Sequence, residues 1–213
     1  MKKSLLALLF AVALAVPALA ENMWVGGDLS YSSSNSKIEA NGQDWEKQSL
    51  TSWSIEPEFG YNLNEKWDIG VDLAYVSRQG VTNLFGFDLN NSPVGPVQTK
   101  DFGIAPFARF HVAQIAGVDV MFKGSIFYTS GEAKGMYTDG KIDYTTYGVA
   151  IVPVISYSIN ETWSIGATLN FAELSYTHAD AELKDSPIKP KADQFGFNLN
   201  DGSLISIGFS YHF

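Results

Sequence analysis

The sequence predicts an all-β fold, an eight-stranded antiparallel up-and-down transmembrane β-barrel that follows a cleavable signal peptide. Three observations support this prediction. Apolar residues alternate with small or polar ones over nine or more positions, a hairpin-sized unit recurs along the chain, and short connections alternate with long ones. Such alternation exceeds the roughly 5–6 residues of an average soluble strand and fits the roughly 9–11 residues that a tilted strand needs to cross a bilayer.

The N-terminus carries an export signal. Lys2 and Lys3 precede an apolar run, Leu5 to Val16, which ends at Ala18-Leu19-Ala20. A positive start, a short apolar core and an A-x-A end are typical of a secretory signal peptide. The apolar run is too short for a transmembrane helix, which argues against the alternative of a retained anchor. We therefore expect a signal peptide over 1–20 and one barrel domain over 21–213.

The composition excludes several classes of protein. The 213 residues carry 14 Lys+Arg against 23 Asp+Glu, and the resulting net charge of -9 argues against nucleic-acid binding, which needs a basic surface. The chain contains no cysteine, so it has neither disulfides nor thiolate metal sites. Because 46% of the residues are hydrophobic and 14% aromatic, disorder is not expected.

Repeated motifs define the strands. The segment Asn64–Gly70 recurs as Asn160–Gly166, and Pro57, Pro106 and Pro153 are spaced by 49 and 47 residues. These spacings indicate four hairpins. The eight predicted strands cover 23–36, 51–63, 67–79, 99–113, 118–130, 144–158, 163–176 and 203–213.

The connections between these strands differ in length. Those near Asn64, over 114–117 and over 159–162 are tight, as in the periplasmic turns of transmembrane barrels. The other four are long and polar, as in the extracellular loops of such barrels, and they cover 37–50, 80–98, 131–143 and 177–202. Each of the three prolines removes one donor from the strand ladder, so we expect a local bulge at each.

The distribution of side chains favours a membrane barrel over a soluble one. One face of the strands carries small residues, which suit the narrow interior of an eight-stranded barrel. Aromatic residues cluster at both strand ends, as in the two girdles at the membrane interfaces. The girdle near the short turns comprises Tyr61, Trp67, Phe110, Tyr157, Trp163 and Tyr211. The girdle near the long loops comprises Tyr31, Trp53, Tyr75, Phe102, Tyr128, Tyr147 and Phe171.

The terminal segment Ile207-Gly208-Phe209-Ser210-Tyr211-His212-Phe213, with the signal peptide and the eight-strand layout, resembles small outer-membrane β-barrel proteins of the OmpX-like and OmpA-type group. The resemblance covers the whole mature chain. It implies a monomeric barrel in a Gram-negative outer membrane, in contact with outer-membrane lipid and lipopolysaccharide. It also implies that the barrel-assembly machinery recognises the assembly signal Phe209, Tyr211 and Phe213.

The strand parity places a set of charged residues inside the barrel. Asp28, His111 and Asp119 face the lumen, together with the five residues of an expected lumen charge network, Glu56, Glu58, Asp72, Arg109 and Lys123. Because unpaired buried charge is costly, we expect these side chains to form salt bridges that plug the lumen. The alternative is a polar constriction that passes small ions.

The sequence favours a structural or surface-interaction role, such as membrane integrity or adhesion, without catalysis, cofactor or metal. Three alternatives stay open: a narrow small-solute or ion pore, a soluble periplasmic ligand-binding barrel, and a lipid-A-modifying barrel enzyme. For the enzyme, Ser175 and His178 are a candidate Ser–His pair near the outer rim, and no fixed spacing supports them. The apolar loop clusters Leu84–Phe87 and Phe195–Phe197 are expected to pack on each other or to enter lipid, with partner binding as the alternative.

Overall fold

The computed structural model is one antiparallel β-sheet that closes on itself. It describes residues 22–40, 43–84, 87–89, 96–136, 140–169, 173–183, 189–198 and 205–213. In this part of the chain, no helix is long and apolar enough to cross a membrane. The strands are β1 (Met23–Ala40), β2 (Gln43–Asn64), β3 (Trp67–Val81), β4 (Asn83–Leu84), β5 (Phe87–Asp88), β6 (Val97–Ile115), β7 (Val118–Gly135), β8 (Lys141–Ser158), β9 (Trp163–Leu169), β10 (Glu173–Leu183), β11 (Lys191–Asn198) and β12 (Ile205–His212).

The sheet order confirms the predicted eight-stranded barrel. Strands β1, β2, β3, β6, β7 and β8 are successive neighbours in the wall. Both β9 and β10 pair with β8 and together form the seventh strand, whereas β12 and β11 pair with them as the eighth. Pairing of β12 with β1, from Trp24↔His212 to Leu29↔Ile207, closes the barrel. The short segments β4 and β5 form a separate small hairpin.

The repeated Asn64 and Asn160 motifs are turn motifs. The side-chain oxygen of Asn64 accepts hydrogen bonds from the backbone N–H groups of Lys66 (2.9 Å) and Trp67 (3.1 Å). Asn160 makes the same two contacts with Thr162 (2.9 Å) and Trp163 (2.8 Å). An asparagine that binds the backbone two and three residues ahead stabilises a tight turn, which explains the repeat.

The strands extend further than the sequence predicts. The predicted loop over 37–50 is mostly strand, because β1 and β2 stay paired up to Ala40↔Gln43. The Asn41-Gly42 dipeptide between them is outside the described residues and is typical of a two-residue hairpin turn. The predicted loop over 177–202 likewise contains the pairing of β10 with β11, from Glu173↔Asn198 to Asp180↔Lys191. The polar composition of these segments predicts loops. They are strands because backbone pairing outside the membrane does not need apolar side chains.

The expected bulges at Pro57 and Pro106 are wrong. Pairing of β2 with β3 skips the proline position between Ile55↔Tyr75 and Glu58↔Asp72 without a change of register. Pairing of β6 with β7 does the same around Pro106. The missing N–H therefore leaves a short unpaired step and inserts no extra residue.

At Pro153 the wall is irregular on one side. Pro153 is paired with Phe122 of β7 in unbroken register. On the other side, Val154 pairs with Thr168 of β9 whereas Ile151 pairs with Leu174 of β10, so the seventh strand holds extra residues at this height.

Candidate functional site

Four charged side chains meet inside the barrel. Glu58 of β2 lies opposite Asp72 of β3, and Arg109 of β6 lies opposite Lys123 of β7. Strand alternation points all four into the lumen. Glu58 accepts hydrogen bonds from both Arg109 and Lys123, and the Lys123 Nζ also lies 2.6 Å from the Asp72 Oδ2. These four residues form what we call the charge layer.

The charge layer packs on two aromatic rings. The guanidinium carbon of Arg109 lies 4.6 Å from the ring centroid of Trp24 and 4.9 Å from that of Phe107. The Lys123 Nζ lies 4.5 Å from the Phe107 centroid. Cations over ring faces gain more from this attraction where water is excluded. The two rings thereby fill the lumen beside the ion pairs.

Two glycines make room for these rings. A Cβ on Gly60 would lie 2.1 Å from atoms of the Trp24 ring, and a Cβ on Gly70 would lie 2.4 Å from Phe107. The small residues on the inner face thus allow large side chains to cross the lumen from neighbouring strands. Composition predicts the small residues of the inner face, whereas Trp24 and Phe107 are recognisable as inward-facing only from their parity with the lumen residues of β1 and β6.

The charge layer is buried. Its four residues are 5–9% exposed, and Trp24 is 2% exposed. Two buried atoms, the Oδ1 of Asp72 and the Nε of Arg109, have no hydrogen-bond partner among the described residues. Because the loss of one partner would leave a charge buried and uncompensated, each member depends on the others.

Glu56, the fifth residue of the expected network, is separate from these ion pairs. It is half-buried, and within the described ranges no cation lies in ion-pair contact with it. Its cross-strand neighbour Asp28 accepts a hydrogen bond from the Thr168 hydroxyl at 3.0 Å. The Asp28 carboxylate lies over Gly208, where a Cβ would approach its Oδ1 to 1.9 Å. Asp28 thus links β1 to the seventh strand across the closing seam.

Below the charge layer, towards the short turns, the lumen opens into a vestibule of about 520 Å³. His111 lies 2.9 Å from the Asp68 carboxylate, and the His212 Nε2 lies 3.1 Å from the Ser164 hydroxyl. Asp119 also lines this space. Among the described residues, no group of three His, Cys, Asp or Glu side chains could hold a metal ion.

Above the charge layer, towards the long connections, an apolar cluster packs against the inner face of the wall. Leu84 and Leu89, between β3 and β6, turn inward onto the wall. The other buried members of the cluster are Val97, Ala133, Ile142, Tyr144 and Ala181. The expectation that Leu84 packs on Phe195 or enters lipid is therefore wrong, whereas Phe85 and Gly86 lie outside the described residues.

A buried carboxylate supports this cluster. Asp101 is 4% exposed and accepts hydrogen bonds from Arg78 at 2.8 Å and from the Tyr144 hydroxyl. These contacts join β3, β6 and β8 beneath the apolar cluster. Asp101 is absent from the lumen residues expected from sequence, although its parity with Arg109 places both on the inner face.

The aromatic residues near the short turns lie on the outer face and contact one another. The ring centroids of Trp67 and Phe110 are 4.9 Å apart, and those of Trp163 and Tyr211 are 5.1 Å apart. At the other end, the Trp53 and Tyr75 centroids are 5.3 Å apart. Phe171, also expected in the outer girdle, lies outside the described residues. Cross-strand aromatic pairs of this kind stabilise a sheet.

The candidate pair Ser175 and His178 does not come together. The two residues are three positions apart on β10, so their side chains point to opposite faces of the wall. The His178 Nδ1 lies 2.7 Å from Asp193, and its Nε2 lies 3.4 Å from Asp180. Each ring nitrogen of His178 thus contacts a carboxylate on the outer face.

Comparison with known proteins identifies the architecture. A family model described as the outer membrane protein beta-barrel domain matches residues 6–213. The outer membrane protein OprG from Pseudomonas aeruginosa is 15% identical, with a TM-score of 0.50 over 91% of this chain and 97% of that chain. Neisserial surface protein A is 12% identical, with a TM-score of 0.47 over 90% of this chain and 97% of that chain. No curated protein matches the sequence. At these identities the structural likeness to OprG shows the fold alone.

Proposed function

The chain belongs to the outer membrane protein β-barrel domain family, and from that premise we propose that it is a monomeric structural and surface-interaction protein of the outer membrane. The same proposal includes export by a signal peptide over residues 1–20 and cleavage to a mature domain over 21–213. It also includes delivery by the barrel-assembly machinery and contact with outer-membrane lipid and lipopolysaccharide. The short turns then lie in the periplasm and the long connections outside the cell.

The observation that carries the proposal is the extension of the wall beyond the outer girdle. Strand β7 continues past Tyr128 to Gly135, and β1 continues past Tyr31 to Ala40. Beyond Ser34↔Leu50 the described parts of β1 and β2 pair only with each other, and we call this segment, over 34–50, the outer ribbon. From Ser34 to Ala40, at roughly 3.4 Å per residue, the outer ribbon extends about 20 Å along its strands past the last pairing of β2 with β3. A rigid barrel that holds such a ribbon clear of the membrane suits contact with an external surface.

The filled lumen argues against transport as the main role. The charge layer and its two rings occupy the barrel at one level, and the apolar cluster of Leu84 and Leu89 covers the inner face of β6, β7, β8 and β10 nearer the long connections. Eight strands leave an interior that side chains alone can fill. The narrow-pore alternative therefore requires the charge layer and its rings to move.

A paired experiment separates these two functions. The refolded protein is expected to leave a planar lipid bilayer without stepwise conductance, whereas Trp24→Ala with Phe107→Ala is expected to introduce conducting steps. Replacement of 37–47 by Asn-Gly keeps Ser36 opposite Gln48, shortens the outer ribbon and leaves the lumen unchanged. Cells with this shortened protein should lose adhesion to surfaces that wild-type cells colonise, with equal amounts of barrel in the membrane. Stepwise conductance of the wild type, together with unchanged adhesion of the shortened protein, would favour the pore.

A further inference from the structure

The vestibule at the short-turn end of the lumen is a cavity with a polar wall. Arg109 and Trp24 line its inner end, so the buried charge layer separates it from the rest of the lumen. Its sides carry four serine hydroxyl groups, those of Ser156, Ser158, Ser164 and Ser210. Its volume of about 520 Å³ falls in the range of roughly 300–1,000 Å³ that small-molecule sites occupy. The vestibule thus has room for a solute that enters past the short turns.

The carboxylates of the vestibule outnumber the cations that can neutralise them. Glu65, Asp68 and Asp119 line the cavity, whereas Arg109 is the one lysine or arginine among its described lining residues. The guanidinium of Arg109 is already bound to Glu58 of the charge layer. A cleft lined by one sign of charge raises the local concentration of the opposite ion. The vestibule therefore favours a cationic solute.

The two histidines of the vestibule do not change the sign of this charge. His111 lies 2.9 Å from the Asp68 carboxylate, and His212 lies 3.1 Å from the Ser164 hydroxyl. With both imidazoles neutral, the three carboxylates carry three uncompensated negative charges. With both imidazoles protonated, one negative charge remains. The preference for a cation thus holds in every protonation state of these histidines while the carboxylates are ionised.

Asp119 is the carboxylate of the vestibule that is best placed to bind a cation. It is half-buried on β7 opposite Ser156 of β8, and no lysine, arginine or histidine of the described ranges lies in ion-pair contact with it. Asp68, in contrast, is 6% exposed and already bound to His111. Glu65 is exposed in the β2–β3 turn.

We propose that the vestibule binds a small primary amine that carries hydroxyl groups. The ammonium group of the ligand donates to the Asp119 carboxylate, and its hydroxyl groups exchange hydrogen bonds with the serine hydroxyls of the wall. An amine suits this wall better than a metal ion, because no three His, Cys, Asp or Glu side chains come together in the described part of the chain. The inference goes beyond the proposed function and rests on it only for the periplasmic location of the vestibule.

The chain contains three histidines, and they give the test a site-specific readout. His111 and His212 line the vestibule, whereas His178 lies on the outer face against Asp180 and Asp193. NMR follows the ring C–H signals of these histidines in the refolded mature chain, held in phosphatidylcholine nanodiscs. Titration with glucosamine, a hydroxylated amine, at constant pH and ionic strength should shift the signals of His111 and His212 to saturation. The signals of His178 should stay unchanged.

Asp119→Asn removes the charge that binds the ammonium group and keeps the shape of the side chain. It should weaken glucosamine binding by about tenfold or more, because a charge-assisted hydrogen bond is lost. Ser158→Phe narrows the rim of the vestibule without a change of charge and should weaken binding as well. Glu161→Gln is the matched control, because Glu161 is an exposed carboxylate in the β8–β9 turn at the same end of the barrel and does not line the vestibule. It should bind glucosamine as the wild type does.

A second ligand tests the ammonium group on the wild-type protein. N-acetylglucosamine carries an uncharged amide in place of the amine, and it should not saturate the histidine shifts at concentrations at which glucosamine does. Equal binding of the two sugars would overturn the proposal, as would equal affinity of the wild type and Asp119→Asn for glucosamine. Equal shifts of all three histidines would show general effects of the solute and would also overturn it. A failure to insert, seen as the absence of a heat-shifted band on a gel, would instead count against the proposed function.

Discussion

Lys123 and Glu58 each have two ion-pair partners in the charge layer. Lys123 binds both Glu58 and Asp72 while its ammonium group lies over the Phe107 ring. Asp72 has no other cation in ion-pair contact in the described part of the chain, and its Oδ1 is already unpartnered. The ammonium of Lys123 is therefore what makes a buried Asp72 carboxylate tolerable.

We expect Lys123→Met to lower the free energy of unfolding by about 3–5 kcal/mol, because it leaves Asp72 buried and uncompensated. The measurement is urea unfolding of the barrel in lipid vesicles, followed by tryptophan fluorescence. The double variant Lys123→Met with Asp72→Asn should recover most of this loss. If the double variant is as unstable as the sum of its single changes, the two residues are not coupled.

A second prediction concerns the space that Gly60 leaves for the Trp24 ring. Gly60→Ala places a methyl group 2.1 Å from ring atoms that the surrounding wall confines, so we expect a loss of about 1–3 kcal/mol in unfolding free energy. Gly124→Ala is the control, because nothing lies within 4 Å of a Cβ at that position. The same vesicle assay measures both, and equal effects would show that backbone freedom matters here, not the ring.

At the scale of the element, the closing seam depends on a short ladder. Strand β12 pairs with β1 only from Trp24↔His212 to Leu29↔Ile207, whereas β1 and β2 are paired over nearly their full length. The last residue extends this seam, because the Phe213 N–H donates to the Met23 carbonyl oxygen at 3.1 Å. The Phe213 ring also packs edge-on against Tyr211, with centroids 5.0 Å apart.

The assembly signal Phe209, Tyr211 and Phe213 stays a prediction, which deletion of Phe213 tests. If the terminal aromatic residue is read by the assembly machinery, its deletion should greatly lower the amount of folded barrel in cells. Refolding of the same variant into lipid vesicles should change little, because only one backbone hydrogen bond and one ring contact are lost. Equal losses in cells and in vesicles would assign Phe213 a purely structural role. Phe102→Ala, which removes an exposed aromatic residue at the other end, is the control for general effects of a lost ring.

The strands also show which parts of a strand the sequence pattern predicts. Within the membrane the period-two pattern defined the strand cores, because one face meets lipid and the other a crowded lumen. Beyond the girdles no lipid faces the wall, and the outer parts of β1 and β2, over 35–40 and 43–49, are mostly polar and lack an extended alternation of apolar residues. Their polar composition predicts a loop and gives no indication of the strand pairing.

The whole molecule differs from a soluble ligand-binding barrel in the direction of its apolar face, which points outward. Leu29, Tyr31, Ile126 and Phe195 are 64–73% exposed on the outer face, while the charge layer lies within. In water, this arrangement would expose a continuous apolar belt. Lipid is the solvent that such a surface requires.

We expect the protein to fractionate with membranes and to stay folded in SDS at room temperature, with a shift in gel mobility after boiling. The closed ladder of backbone hydrogen bonds resists the detergent until heat opens it. Wild-type protein that stays in the soluble fraction without detergent and shows no shift would contradict a membrane barrel. The Lys123→Met variant offers a graded comparison, since its boiled and unboiled bands should converge at a lower temperature.

The sequence alone determined the class of barrel, the number of strands, the two girdles and the inward parity of Glu58, Asp72, Arg109 and Lys123. These follow from period-two alternation, because a lipid solvent imposes one apolar face on every membrane strand. Only the tertiary structure decided which inward residues touch: Glu58, Asp72, Arg109 and Lys123 meet, whereas Glu56 remains apart. It also placed Trp24 and Phe107 across the lumen, Leu84 on the inner face of the wall and Asp119 in the vestibule. Such contacts depend on strand register, on the stagger of the closed sheet and on side-chain length, and alternation along one strand does not specify any of the three.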